Sequence, residues 1–239
     1  MCAQALIGAI GPVIVFVGGF VGLKLAPNDV LATLPVACMI VGIALFMLPV
    51  ITLLKKIGRK KGFFLAISWG IGNSLLTAYS IYIANFWLFC LSILLYGFMI
   101  AAVQQFRFAA MESVAPDRAS QAVSILLLSG LIAAFLGPEV AFWGRNWFAT
   151  EYVGSFIGVA ILLTLSLGFI YGYRPTQAKE VDESVRGRPL STIVKQPIFI
   201  LAITSATVGF SVMSFIMTAT PISMHVHSGF DLADTKWVI

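Results

Sequence analysis

Apolar residues run through this chain in long, nearly unbroken blocks, separated by short clusters of charge, proline and glycine. The blocks cover Ala3–Leu23, about Val30 to Leu54, Gly62–Ala84, Phe86 to about Val114, about Ala119 to Trp143, Tyr152–Tyr173 and Pro197–Met224. Each is close to the ~20 residues that an α-helix needs to cross a ~30 Å hydrocarbon core, and about twice the length of a barrel strand. Block length therefore predicts about seven spanning helices, each satisfying its backbone groups internally. Polar interruptions are sparse: Gln4 lies in the first block and Asn73 near the middle of the third. In the seventh block Thr204, Thr207, Ser211, Ser214, Thr218 and Pro221 recur at spacings of three and four, which is one continuous helix face. A last apolar run, Lys236–Ile239, reads as the start of an eighth span.

Composition points the same way. Of 239 residues, 59% are apolar and 10% charged, against roughly 25% charged in a soluble domain. Too little charge is present to cover a water-facing surface, so the fold class is all-α, a polytopic bundle in a lipid bilayer. The net charge of +5 is accounted for by topology and needs no nucleic-acid partner. Twelve of the fifteen basic residues fall on one side, in Lys55–Lys61, Arg107, Arg118 and the stretch holding Arg174, Lys179, Arg186, Arg188 and Lys195. The other side holds Lys24, Arg145 and Lys236. The bias of basic residues toward cytoplasmic loops then puts Met1 in the cytoplasm. Lys24, the first basic residue, follows the first apolar run, so no signal peptide is visible; a missing or very short leader is expected. The polar stretch 174–196 separates a six-helix bundle, 1–173, from the start of a second, 197–239. Because the chain stops within an apolar run, truncation in an eighth helix is expected. Cys2, Cys38 and Cys90 sit in apolar runs without ligand spacing and read as small apolar side chains; neither a metal nor a cofactor is expected.

The junction after the second block carries a further signal. Gly58, Arg59 and Lys60 match the second half of the Gly-x-x-x-Asp-Arg-x-Gly-Arg-Arg/Lys signature, with Lys56 at its first Arg position, Lys55 at the Asp and Ile51 at the first Gly. The fourth block ends Phe108-Ala109-Ala110-Met111-Glu112 and continues into Ala115-Pro116-Asp117-Arg118. Gly97 stands in the fourth block; Gly130 and Gly137-Pro138 stand in the fifth, where Ala141-Phe142 replaces a following Gly-Gly. With six helices before a charged linker and more after it, the chain resembles the major facilitator superfamily over its whole length. The resemblance implies a permease of about twelve helices in the bacterial inner membrane, multi-pass, monomeric, and working by alternating access between two bundles. A small-molecule solute would be its partner, with a coupling proton or ion as a possible second.

Candidate residues follow. Gly58 permits a tight turn, and Arg59 can fork onto the Glu112 carboxylate on the same membrane side. The resemblance implies that Gly58, Arg59, Lys60, Glu112 and Arg118 form a cytoplasmic gate; the plainer alternative is that these charges only set topology. The Thr207–Ser211–Ser214–Thr218 stripe either lines the solute pathway, as the resemblance implies for this helix, or serves as a packing seam. Gln104 and Arg107 share a face of the fourth helix, where Arg107 either meets an anionic solute or snorkels to the interface. Pro12 marks a bend in the glycine-rich first helix, and Gly137-Pro138 one in the fifth. Glu139 reads as an interfacial acid near Arg145 or a proton-coupling carboxylate; His225 and His227 read as interfacial.

Rival readings remain. A seven-helix receptor would place Met1 outside, against the charge bias. A half-length protein that transports nothing is a second alternative. An intramembrane hydrolase lacks a nucleophile with a base at depth.

Overall fold

The computed structural model describes residues 2–115, 118–172 and 194–226. Among these residues all regular structure is helical, and seven stretches are long and apolar enough to cross a membrane. Span 1 consists of α1 (Cys2–Gly8) and α2 (Ile10–Leu25). Spans 2 and 3 are α3 (Leu34–Ile57) and α4 (Arg59–Tyr82). Span 4 consists of α5 (Phe86–Gln104) and α6 (Phe106–Glu112). Spans 5, 6 and 7 are α7 (Ala119–Gly144), α8 (Val153–Tyr171) and α9 (Pro197–Val226). Most of the linker, His227 and the run Lys236–Ile239 lie outside the described residues.

Two spans are interrupted, each for a local reason. Pro12 brings no N–H and its ring crowds the carbonyl four residues back, at Gly8, so the first helix parts at Ala9. Span 4 parts at Gln105, whose N–H turns to Ala102 at 3.0 Å in a tightened turn. Pro49 and Pro138 sit inside continuous helices. The junction expected as a basic loop, Lys55–Lys61, is a single residue. Lys55 and Lys56 complete α3, Arg59 begins α4, and Gly58 between them has φ 82° and ψ 156°. That region is essentially open to glycine alone.

Small residues let the spans approach one another. Span 2 crosses span 4 where Gly42 lies against the Leu94 carbonyl and Gly97 against the Gly42 backbone. Span 1 crosses span 5 at its own break: a Cβ on Gly137 would lie 2.7 Å from the Ala9 oxygen and 2.7 Å from Pro12 Cβ. Between spans 3 and 4 the buried polar groups find partners. Asn73 Nδ2 donates to the Ser92 carbonyl at 2.8 Å, and Tyr96 donates to Ser74 Oγ at 2.6 Å. At the end opposite the lysines, Glu151 in the turn before α8 accepts from Lys24 and from Arg145, the latter at 2.9 Å. This joins span 1 to the span 5–6 turn.

Burial is uneven. The apolar stretch of span 1 is 67% buried, that of span 2 is 17% and that of span 5 is 28%; span 7 has no fully buried residue in its apolar stretch and makes its main contact with α2. Span 1 is thus the central helix of the described bundle.

Candidate functional site

Two constellations lie toward the end of the bundle that carries Lys55–Lys61. The first is built on Gly58. By ending α3 and starting α4 within one residue, it places Arg59 in the first turn of α4, facing the last turn of α6. Arg59 Nη2 pairs with Glu112 Oε1, and Arg59 Nη1 approaches the Gln105 carbonyl at 3.5 Å. One guanidinium therefore touches both ends of α6. Phe63, one turn further along α4, packs edge-on against Phe106 with ring centres 4.4 Å apart, so α6 is held along its length by span 3. Gln105 Nε2 reaches Met47 Sδ on span 2 at 3.5 Å. The other two residues grouped with this gate by sequence point elsewhere. Lys60 Nζ donates to the Tyr171 carbonyl at 2.8 Å and lies over the Tyr171 ring, closing on the end of span 6. Arg118 immediately precedes α7 and is in none of the ion pairs among the described residues.

The second constellation is a cavity of about 210 Å³ between spans 1, 4 and 5. Gly8 and Gly11 flank the Ala9 break on one side. Met99, Val103, Gln104 and Arg107 form the opposite wall, and Leu126 and Leu127 close it from span 5. Gly11 has no neighbour within 4 Å of where its Cβ would stand, so the cavity reaches its backbone. Gln104 ends α5 and Arg107 belongs to α6, so the pair bridges the Gln105 break: Arg107 Nη2 donates to Gln104 Oε1 at 2.8 Å. Arg107 is thus tied to a cavity-lining amide. Bonding through Oε1 turns the Gln104 NH₂ away from the guanidinium, and four of the five Arg107 N–H groups are left for other acceptors.

Gln4 completes the wall. Its Oε1 is buried and has no hydrogen-bond partner. Asn73 Oδ1 and Arg145 Nε share that state among the described residues, but neither borders this cavity. An unsatisfied buried acceptor costs ~1–3 kcal/mol. Sequence reasoning passed over Gln4 as an interruption, although a polar amide inside a span is itself the signal that marks a pathway. Gln4 and Leu126 also border a second, largely apolar cavity of about 350 Å³ at the same end, with Phe63, Phe106 and Phe169.

The stripe on α9 is not gathered into this site. Thr207 and Ser211 are exposed, Ser214 and Thr218 are half-buried, and Thr204 Oγ1 bonds back to the Ile200 and Leu201 carbonyls of its own helix. Pro12 and Gly137 meet at the span 1–5 crossing and do not line the cavity. Glu139 Oε2 accepts from Trp143 Nε1 at 2.8 Å.

A riboflavin transporter, RfnT of Brucella anthropi, is 35% identical over 231 residues, covering 95% of this chain and 58% of the relative. The chain thus spans rather more than half the length of that protein. No solved structure matches it. Residues 1–238 match the Major Facilitator Superfamily, and on that span the chain belongs to this family.

Proposed function

We propose that this chain supplies one half, and the start of the other, of a monomeric inner-membrane permease that moves a flavin, riboflavin first, by alternating access. The lysine-rich end faces the cytoplasm in this reading, in keeping with the charge bias. The observation that carries it is the cavity between spans 1, 4 and 5, where three polar side chains converge on an otherwise apolar wall. Riboflavin has the matching character: a flat, largely apolar ring system whose polar atoms are concentrated along one edge and on the ribityl chain. It carries no charge at neutral pH, and among the described residues that line this cavity there is no carboxylate. Arg107 is then a hydrogen-bond donor braced by Gln104 rather than the counter-ion of an anionic solute. The broken spans support the same reading, since discontinuous helices in transporters flank the solute site.

The test is uptake of labelled riboflavin by a riboflavin-requiring bacterium without its own uptake system, with the protein expressed at its full natural length. Accumulation well above the vector control at micromolar riboflavin is expected, and its sensitivity to an uncoupler reports whether a proton or ion is coupled. Protein present in the membrane with no accumulation overturns the flavin reading. The same assay decides the role of span 7. Ser211→Leu and Ser214→Leu are expected to abolish uptake while the protein still inserts; unchanged uptake removes that stripe from the pathway.

A further inference from the structure

Spans 2 and 4 pack side by side in a fixed register. α3 and α5 both start at the end of the bundle opposite the lysines, at Leu34 and Phe86. The offset between them is the same at successive turns. Gly42 lies against Leu94, and one turn further along Phe46 packs edge-on against Phe98 with ring centres 5.9 Å apart. One turn back toward the helix starts, that offset sets Cys38 of α3 opposite Cys90 of α5. A Cβ on Gly42 would stand 3.2 Å from Leu94 Cα, so the two backbones touch a single turn from the cysteines. Helix axes are commonly 8–10 Å apart, whereas a disulfide needs Cα atoms within ~4.4–6.8 Å; the small residue at Gly42 allows that approach. The two thiols are indeed neighbours, near enough to share a hydrogen bond. They are unequally placed: Cys38 is half-buried, while Cys90 is buried. Cys2 stands at the start of α1, at the other end of the bundle. We propose that Cys38 and Cys90 form a dithiol site that oxidises to a disulfide joining spans 2 and 4, with Cys38 as the attacking thiol and Cys90 as the resolving one.

The oxidant is an organic disulfide, and the reaction is two exchanges. The Cys38 sulfur, on losing its proton, attacks one sulfur of the oxidant and breaks its S–S bond. The first half of the oxidant leaves as a thiol and takes that proton. The Cys90 sulfur then attacks the Cys38 sulfur of the mixed disulfide, and the second half leaves as a thiol with the Cys90 proton. One S–S bond is broken and one formed; two electrons and two protons pass to the oxidant. Unequal burial sets the order, since thiol reactivity follows access. The bridge fastens span 2, whose apolar stretch is 17% buried, to span 4 and encloses span 3 in its loop. On the orientation proposed above this end of the bundle faces the periplasm, where disulfides form and persist. The pairing itself depends neither on that orientation nor on the flavin reading.

The experiment treats the purified full-length protein, reduced and then freed of reductant, with dithiodipyridine, a small disulfide that enters detergent and lipid. Mass spectrometry of a non-reduced digest, after alkylation of the remaining thiols, reads each cysteine separately. The expected product is one pair of peptides joined through Cys38 and Cys90, with Cys2 left carrying the pyridyl group. In Cys90→Ser the pyridyl group should stay on Cys38, because nothing resolves it. In Cys38→Ser, Cys90 should be modified at least about tenfold more slowly than Cys38 is in the other variant. Should either serine variant not insert, the unaltered protein quenched at early times shows which cysteine carries the pyridyl group first. Cys38 and Cys90 recovered as separate peptides, both pyridylated or both alkylated, overturn the proposal. Cys90 reacting as fast as Cys38 overturns the assigned order of attack. No readout here involves transport, so the flavin reading stands or falls on the uptake assay alone.

Discussion

Replacing Gly137 with alanine puts one methyl group where span 5 crosses the break in span 1. The new carbon would lie 2.7 Å from the Ala9 carbonyl oxygen and from Pro12 Cβ, about 0.7 Å short of the 3.4 Å at which ordinary contact begins. Neither neighbour can swing aside, because one is backbone and the other a ring. The two spans must separate, and overpacking of this kind costs ~1–3 kcal/mol. Alanine also favours a helix over glycine by ~1 kcal/mol, which would mask part of that cost. Gly11→Ala provides the control: it gains the same helical preference and meets nothing within 4 Å. The difference between the variants isolates the clash, and at about 2–4 °C per kcal/mol the Gly137 variant should melt about 2–12 °C below the Gly11 variant. Thermal unfolding of the two purified proteins in the same detergent measures it. Equal melting temperatures would refute the reasoning, since the spans would then not be in contact at Ala9.

Three other outcomes follow from particular contacts. Arg59→Ala or Glu112→Ala should change stability by less than ~1 kcal/mol, because the pair is partly exposed, yet should cut uptake at least tenfold; exchanging the two charges should restore part of it, and a swap no better than the single variants argues against a gate. Gly58→Ala and Gly58→Asn should both destabilise by ~1–3 kcal/mol, since ψ 156° lies outside the left-handed helical region that asparagine tolerates; rescue by asparagine in a melting experiment would contradict the turn geometry. The hydrogen bond from Lys24, with Arg145 beside it, holds the Glu151 carboxyl below the usual carboxylate range. A lowered folded-state pKa contributes stability above the unfolded value near 4.3 and loses it as pH falls through the folded value. Between pH 7 and 5 the melting temperature should therefore be insensitive to Glu151 protonation. Below that range the unaltered protein should lose stability faster than Glu151→Gln, and parallel acid profiles would exclude the contribution.

What could be read from the chain and what could not divides by distance along the sequence. Span positions follow from block length, and the interruption at Ala9 has its cause three residues away in Pro12. The interruption at Gln105 has no such local mark. The Arg59 guanidinium reaches its carbonyl from 46 residues earlier, and no window on span 4 contains that contact. The basic cluster Lys55–Lys61 reads as a loop because charges end apolar runs. The helices nonetheless continue through it, since lysine and arginine can keep their heads at the interface while their stems remain helical. The family signature groups Lys60 with Arg59, but neighbours on a helix point about 100° apart, which sends Lys60 to Tyr171 and Arg59 to Glu112. The α9 stripe shows the converse limit. Its spacing defines a face without saying what the face meets.

The two interruptions acquire a common meaning once they are placed in the membrane. α1 and α6 are each seven residues long, about 10 Å of helix, and both end at the lysine-rich side of the bundle. A broken helix leaves carbonyls and N–H groups without intrahelical partners, which hydrocarbon cannot satisfy. Such breaks are tolerable only against protein or a polar cavity, and here they lie on opposite walls of the same one, Gly8 and Gly11 on span 1 facing Gln104 and Arg107 on span 4. The Arg59 contacts act on one of these short segments: Arg59 holds α6 at Gln105 and at Glu112, while Arg107 on that segment holds the Gln104 amide across the break. Releasing Arg59 therefore frees the segment that orients the polar wall. On the transporter reading proposed above, the solute site would be coupled to its gate through the about two turns of α6, without need for a longer chain of contacts.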